Sequence, residues 1–130
     1  YTAYEEPSSE FVGGFLGKAN IFQVQTEQSG GATIAKVAQM QIPLDGHVIA
    51  SGNVIVRPEK VLFSEPSAHA LPGKMKTRVF QGNHWLCQVE TSVGDVLVIR
   101  QNDGVPVPDE GVTVHLRWRA QDMRPVAASN

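Results

Sequence analysis

Apolar and polar residues alternate most cleanly near the end of the chain. Val112, Val114, Leu116 and Trp118 interleave with Thr113, His115, Arg117 and Arg119. A period of two over this length marks a strand with one buried face. Val96 to Ile99 is continuous and apolar, which suits a strand covered on both faces. Met75, Thr77 and Val79 alternate with Lys74, Lys76 and Arg78. Trp85, Cys87 and Val89 alternate with Gln88 and Glu90, and Leu86 breaks that pattern. In the first half, Ile21, Phe22 and Val24 run into the turn cluster Gln28-Ser29-Gly30-Gly31. Ala32 to Ile42 reads as one strand carrying Ile34, Val37 and Met40, followed by the turn Pro43-Leu44-Asp45-Gly46. His47 to Ala50 reads as a short strand, Ser51-Gly52-Asn53 as a turn, and Val54 to Arg57 as another strand. Val93-Gly94-Asp95 turns the chain, Asn102-Asp103-Gly104 and Pro106 to Gly111 are loops, and Gln121-Asp122-Met123 fits one helical turn. Roughly eight short strands at regular spacing predict an all-β chain, a small antiparallel barrel or sandwich.

Val54-Ile55-Val56-Arg57-Pro58-Glu59-Lys60-Val61 is the most informative stretch. Pro58 lacks a backbone N–H and disfavours the helical region for the residue before it, so Arg57 should end a strand. Proline fits the first turn of a helix, so Pro58-Glu59-Lys60 can form one short turn. The charged residues should then lie at the strand's end. The stretch closes a first β section, residues 19–63. A second section, 74–124, follows the Pro- and Gly-containing segment 64–73, the best linker in the chain.

Ahead of the strands, Ser8 or Ser9 can cap a short helix with Phe11, Val12, Phe15 and Leu16 on one stripe, stopped by Gly17. Gly13 and Gly14 inside it each cost about 1 kcal/mol relative to alanine. Such a helix does not persist alone, so Phe11 and Phe15 are expected to dock on the domain or on a partner.

Composition narrows the class. The 130 residues are 42% apolar and 18% charged, with a formal net charge of -2. These values fit one folded domain with one modest core, and the small net charge favours no particular partner. The single cysteine, Cys87, excludes an internal disulfide framework and fits a reducing compartment. No apolar run approaches the length needed to span a bilayer. The acidic opening Tyr-Thr-Ala-Tyr-Glu-Glu-Pro lacks a signal peptide's apolar segment and a starting methionine, so a fragment or a processed product is expected, with a fragment favoured because the opening reads like the middle of a protein.

Candidate chemistry is sparse. Gly17-Lys18 and Gly73-Lys74 lack the flanking residues of a phosphate loop. Gln28-Ser29-Gly30-Gly31 lies between strand patterns and reads as a hairpin turn. His47, His69, His84 and His115 show no zinc-site spacing, and no metal site is expected. His84 and Cys87, an odd distance apart on a strand, should point to opposite faces. Cys87 reads as a small buried residue beside Trp85. No Ser or Cys is paired with a base in any catalytic pattern, so no catalytic residue is expected. Lys74, Lys76 and Arg78 share one predicted strand face, and His115, Arg117 and Arg119 share another. If the strands are neighbours these residues form a basic patch, which small barrels use to bind nucleic acid or anions. The plainer reading is a solvated outer sheet face.

The residues also carry a resemblance that spans nearly the whole chain. Glu5-Glu6-Pro7, then Phe11 to Gly17 and Asn20, resembles the junction after the ATPase domain of import-type ABC transporter subunits. Val56-Arg57-Pro58-Glu59 with Val61 is similar to the hallmark of the C-terminal TOBE domain that follows in those subunits. Arg78-Val79-Phe80-Gln81-Gly82, Val89-Glu90-Thr91 with Gly94, and Gly111-Val112, Leu116-Arg117-Trp118 and Asp122 resemble its later strands. The likeness is to the polyamine, ferric-iron and aminophosphonate importers. It implies an OB-like barrel over 19–130, preceded by a junction and docking helix over 1–18. It further implies a regulatory and dimerising role beside an ATP-hydrolysing domain, on the cytoplasmic face of the membrane. Partners would be that ATPase domain, a second copy of the subunit and membrane permeases. ATP and magnesium would belong to the upstream domain, with no cofactor here. Arg57, Pro58 and Glu59 would be architectural or interface residues. The alternative is a free-standing OB-like module that binds nucleic acid or a small anion through Lys74, Lys76, Arg78, Arg117 and Arg119.

Overall fold

A computed structural model describes residues 19–126 apart from Val48 and Ala50. The segment holding the predicted docking helix, with Phe11 and Phe15, lies outside the described residues. The rest is all-β. In chain order the strands are β1 Asn20–Ser29, β2 Ala32–Val37, β3 Met40–Pro43, β4 Gly52–Val56 and β5 Leu62–Phe63. They continue as β6 Leu71–Phe80, β7 His84–Thr91, β8 Gly94–Gln101, β9 Thr113–Arg117 and β10 Arg124–Pro125. Two single 3-10 turns, Pro58–Lys60 and Ala120–Asp122, punctuate them.

The strands form two curled, antiparallel sheets of five, ordered β10-β4-β1-β2-β3 and β5-β9-β6-β7-β8. Alternation sets which face each strand buries. Phe22 and Val24 of β1 point inward while Gln23 and Gln25 point out. Val54 and Val56 of β4 and Val114 and Leu116 of β9 do the same. Their side chains, with Val37, Met40, Met75, Val89, Val96 and Val98, make one cluster between the sheets. Each fully buried aliphatic chain contributes about 1.5–3 kcal/mol relative to exposure. Phe22 stacks on Trp118 with ring centroids 4.3 Å apart and planes 13° off parallel, which ties β1 to the segment after β9.

Three expectations change. Ala32 to Ile42 is two strands, not one, because the chain reverses at Ala38-Gln39 between the paired Val37 and Met40. Ala38 has φ +53°, a left-handed value that hairpin turns usually give to glycine. The Gly30-Gly31 turn, by contrast, has φ of +59° and +84° and obeys the usual chemistry. In the predicted strand 47–50, His47 and Ile49 join no sheet, although Ile49 is buried.

The linker segment also differs. Leu71, Pro72 and Gly73 already belong to β6, paired with β9. The chain before them is tied down: Ser64 N–H donates to the His115 carbonyl at 2.8 Å, and Gln41 N–H to the Ala68 carbonyl at 2.8 Å. The two sections also exchange strands. β5 joins the second sheet by pairing with β9, and β10 returns to pair with β4 in the first.

Candidate interface at the proline turn and the basic strands

The Val54–Val61 stretch folds as its sequence predicts. Arg57 leaves β4 with extended φ and ψ of -69° and 144°, and Pro58 opens the 3-10 turn with its ring buried. Lys60 N–H bonds to the Arg57 carbonyl at 2.9 Å. Arg57 Nε donates to Glu59 Oε2 at 2.8 Å across the turn, and both side chains are exposed. This hydrogen bond holds the Glu59 carboxyl below the usual carboxylate range. An exposed ion pair is worth about 0–1 kcal/mol, so the pair trims the turn more than it holds the fold.

The turn packs against β8 where the second sheet curls round on itself. A cleft there is lined by Glu59, Val61 and Phe63 on one side and by Ile99, Arg100 and Asp103 on the other. The Arg100 guanidinium lies 5.9 Å from the Phe63 ring centroid. Its distance to Asp103 is 3.9 Å, too long for a hydrogen bond.

The basic residues divide between the two faces of the second sheet. β6 and β9 are neighbours, but Lys74 lies opposite Thr113, and Pro72 opposite His115. A β-bulge between Met75 and Thr77 shifts the register. Arg78 therefore faces the same side as its partner Cys87, away from Lys74 and Lys76. An extra residue in a strand reverses the alternation after it, which overturns the shared face expected for the three. Arg78 lies 5.2 Å over the Trp85 ring. It also donates to the Val107 carbonyl at 2.8 Å and pairs with Asp109 at 2.9 Å. Lys76 pairs with Asp95 at 3.2 Å. Arg119 pairs with Asp122 at 3.1 Å in the second 3-10 turn. Arg117 is exposed opposite Leu62 of β5. Three of these five basic side chains are thus paired with carboxylates of the same chain.

Cys87 is buried, and burial pushes its thiol up to about 11, opposed by the charges of Arg78 and Arg100. It stays a neutral thiol at pH 7, and only a thiolate is an effective nucleophile. His84 points to the other sheet face, as the odd spacing requires. Its Nδ1 contacts Asn83 Oδ1 at 2.6 Å. Among the described residues no three His, Cys, Asp or Glu side chains gather closely enough to hold a metal ion. No described helix is long and apolar enough to cross a membrane.

One contact leaves a single faint signal in the sequence pattern. Asn20 is only 5% exposed. Its Oδ1 accepts from Leu97 N–H at 2.7 Å and its Nδ2 donates to the Leu97 carbonyl at 2.8 Å. β8 is an edge strand, and this amide covers part of its open edge while bridging the two sheets. A polar residue at an inward position of β1 is the only trace the sequence leaves.

These features define a small OB-like β-barrel module in which a proline turn ends β4. The chain belongs to the TOBE domain family, whose model matches residues 54–126. It is 35% identical over 132 residues to the spermidine/putrescine import ATP-binding protein PotA of Acidothermus cellulolyticus, covering 91% of this chain and 34% of that protein. It is 28% identical over 99 residues to the Fe(3+) ions import ATP-binding protein FbpC of Agrobacterium fabrum, covering 74% of this chain and 28% of that protein. The chain thus spans about a third of the length of these curated relatives. The crystal structure of the cytoplasmic molybdate-binding protein ModG superposes with a TM-score of 0.51 at 16% identity, covering 80% of this chain and 92% of that one. At that identity the likeness concerns the fold.

Proposed function

We propose that this chain is the C-terminal regulatory and dimerisation domain of the ATP-binding subunit of an ABC importer for a polyamine, ferric iron or a similar solute. The observation that carries the reading is the 35% identity to a polyamine-import ATP-binding protein along 91% of this chain. On this reading residues 1–18 form the junction with an upstream ATPase domain, and 19–130 form the barrel. ATP and magnesium are held by that upstream domain. The partners are the ATPase domain, a second copy of the subunit and the membrane permeases, at the cytoplasmic face. Arg57, Pro58 and Glu59 shape a turn at the rim of the barrel, where a subunit contact needs a rigid, charged corner. The pairing of Lys76, Arg78 and Arg119 with Asp95, Asp109 and Asp122 favours this role over nucleic-acid binding.

The test is the coding sequence upstream of Tyr1 together with the parent subunit. A phosphate loop and signature motif encoded in frame are expected. In the purified parent, replacing both Arg57 and Glu59 by alanine should weaken subunit pairing and leave nucleotide affinity unchanged. An upstream sequence without ATPase motifs, or a selective loss of nucleotide affinity, would refute the reading.

A further inference from the structure

We propose that the uncovered edge of β1 at Ile21 and Gln23 docks a short extended peptide with an acidic side chain, which pairs with β1 where β2 has ended. The inference does not depend on the transporter reading.

β1 changes partners along its length. Residues 20–24 pair with β4, and residues 25–29 pair with β2. The backbone groups of successive strand residues point to opposite edges. Thr26 N–H donates to Ser51 Oγ at 3.0 Å, beside the start of β4, so the even-numbered residues of β1 face β4. Ile21, Gln23, Gln25 and Glu27 therefore face the other edge. There Gln25 and Glu27 meet Lys36 and Ile34 of β2. The same register would next set Ala38 opposite Gln23. Instead Ala38, with φ +53°, turns the chain away into β3. Backbone in such a sparsely populated region tends to collect at ligand sites. Ile21 and Gln23 are left with two N–H and two carbonyl groups that no described strand or loop pairs.

A cleft of about 570 Å³ opens at this place, lined by Ile21, Gln23, Gln25, Lys36, Ala38 and Asn53, with Val93 from the β7–β8 turn. It is open to solvent: Ile21 is 61% exposed, and Gln23, Gln25 and Asn53 are exposed. The lining selects the occupant. The donors and acceptors of Ile21 and Gln23 repeat at about 7 Å, which an extended backbone matches. Lys36 is the one charged residue in the lining, and it joins none of the ion pairs among the described residues. Its ammonium is complementary to an acidic side chain. The Gln23, Gln25 and Asn53 amides both donate and accept, so they suit polar neighbours of that acid. Ile21 and Val93 offer apolar contact to β-branched residues beside it.

Amide-resolved NMR and hydrogen exchange on the 1–130 chain test this. In the free protein the Ile21 and Gln23 amides should exchange fast, while Phe22 and Val24 stay protected by β4. The probe is the pentapeptide Thr-Val-Glu-Val-Thr, capped at both ends. Added to about 5 mM, it should shift and protect Ile21 and Gln23 selectively. Lys36→Glu leaves the core residues Ala35 and Val37 of β2 in place. It should weaken binding by roughly threefold or more, and the capped peptide Thr-Val-Lys-Val-Thr should recover the loss. Ile21 and Gln23 amides already protected in the dilute free protein overturn the proposal, because the edge is then covered. So does a titration that leaves both amides unshifted, or a Lys36→Glu variant that binds the acidic peptide as well as the parent. Ile21 and Gln23 shifts that follow protein concentration alone also overturn it, since a second copy then takes the edge.

Discussion

Replacing Asn20 by alanine removes the clamp between the two sheets, and its cost can be worked from the geometry. Two hydrogen bonds of 2.7 and 2.8 Å disappear from a site that is 5% exposed. Each bond contributes about 0.5–1.5 kcal/mol net, and a buried group left without a partner costs about 1–3 kcal/mol. The Leu97 N–H and carbonyl sit on an open strand edge, where water recovers part of that loss. The expected destabilisation is therefore about 2–4 kcal/mol. With an m-value of about 1.5 kcal/mol per molar urea, the midpoint should fall by roughly 1–3 M. Trp118 stacks on Phe22, two residues from Asn20, so tryptophan fluorescence follows the relevant packing. Asn20→Asp sharpens the test. A carboxylate at this position can accept from Leu97 N–H but repels the Leu97 carbonyl, so the folded state raises its pKa above the unfolded value near 4. Its stabilising contribution is complete below the unfolded pKa and is lost as pH rises through the folded pKa. The aspartate variant should thus approach the parent in stability at low pH and fall behind at neutral pH. A midpoint for Asn20→Ala within about 0.3 M of the parent, or a pH-independent deficit for Asn20→Asp, would refute the clamp.

Other expectations are more local. A Cβ on Gly73 would meet Val89 Cγ1 at 2.6 Å and the Glu90 carbonyl at 2.8 Å. Gly73→Ala should therefore cost about 1–3 kcal/mol by thermal or urea unfolding, and a neutral result would show that β6 and β7 can spread at this point. Glu59→Gln should lower stability by no more than about 1 kcal/mol at neutral pH, because the pair it breaks is exposed. The lowered Glu59 pKa places that contribution above the unfolded carboxylate pKa and removes it as pH falls through the folded one. Parent and variant should then converge in acid, as read by unfolding midpoints from pH 7 to 3. The Cys87 thiol, buried and raised to about 11, should resist an aromatic disulfide reagent at pH 8 until urea unfolds the chain. Rapid labelling of the native protein would contradict that burial.

Much of this architecture was legible because alternation survives wherever a strand has one wet face. The Val112–Trp118 pattern, the Gly30-Gly31 hairpin and the Arg57-Pro58 strand end all follow local rules. The failures share one cause, which is that tertiary context overrode a local preference. Ala38 adopts a left-handed φ without the glycine that would advertise a turn. Leu71-Pro72-Gly73 looks like a linker, yet it is a strand held by β9. The β6 bulge leaves Lys74, Lys76 and Arg78 in unbroken alternation on paper while turning Arg78 toward Trp85. The carboxylates that neutralise Lys76 and Arg78 come from residues 19 and about 30 positions away, a distance that no periodicity spans.

The return of β10 to β4 bears on how the chain reaches its native state. The ladder from Arg124 to Ile55 joins residues about 70 positions apart, and the Asn20–Leu97 bridge joins residues 77 apart. Contacts this distant close large loops before they gain anything in return, which places folding in the slow regime of milliseconds to seconds. The first sheet has hairpins of its own at β1–β2 and β2–β3 that can form early. Its other flank must wait, because β10 follows the other nine described strands in the chain. A chain emerging from the ribosome therefore carries an unfinished β4 edge until residue 126 is clear. Over that interval the exposed strand edge is open to pairing with another chain.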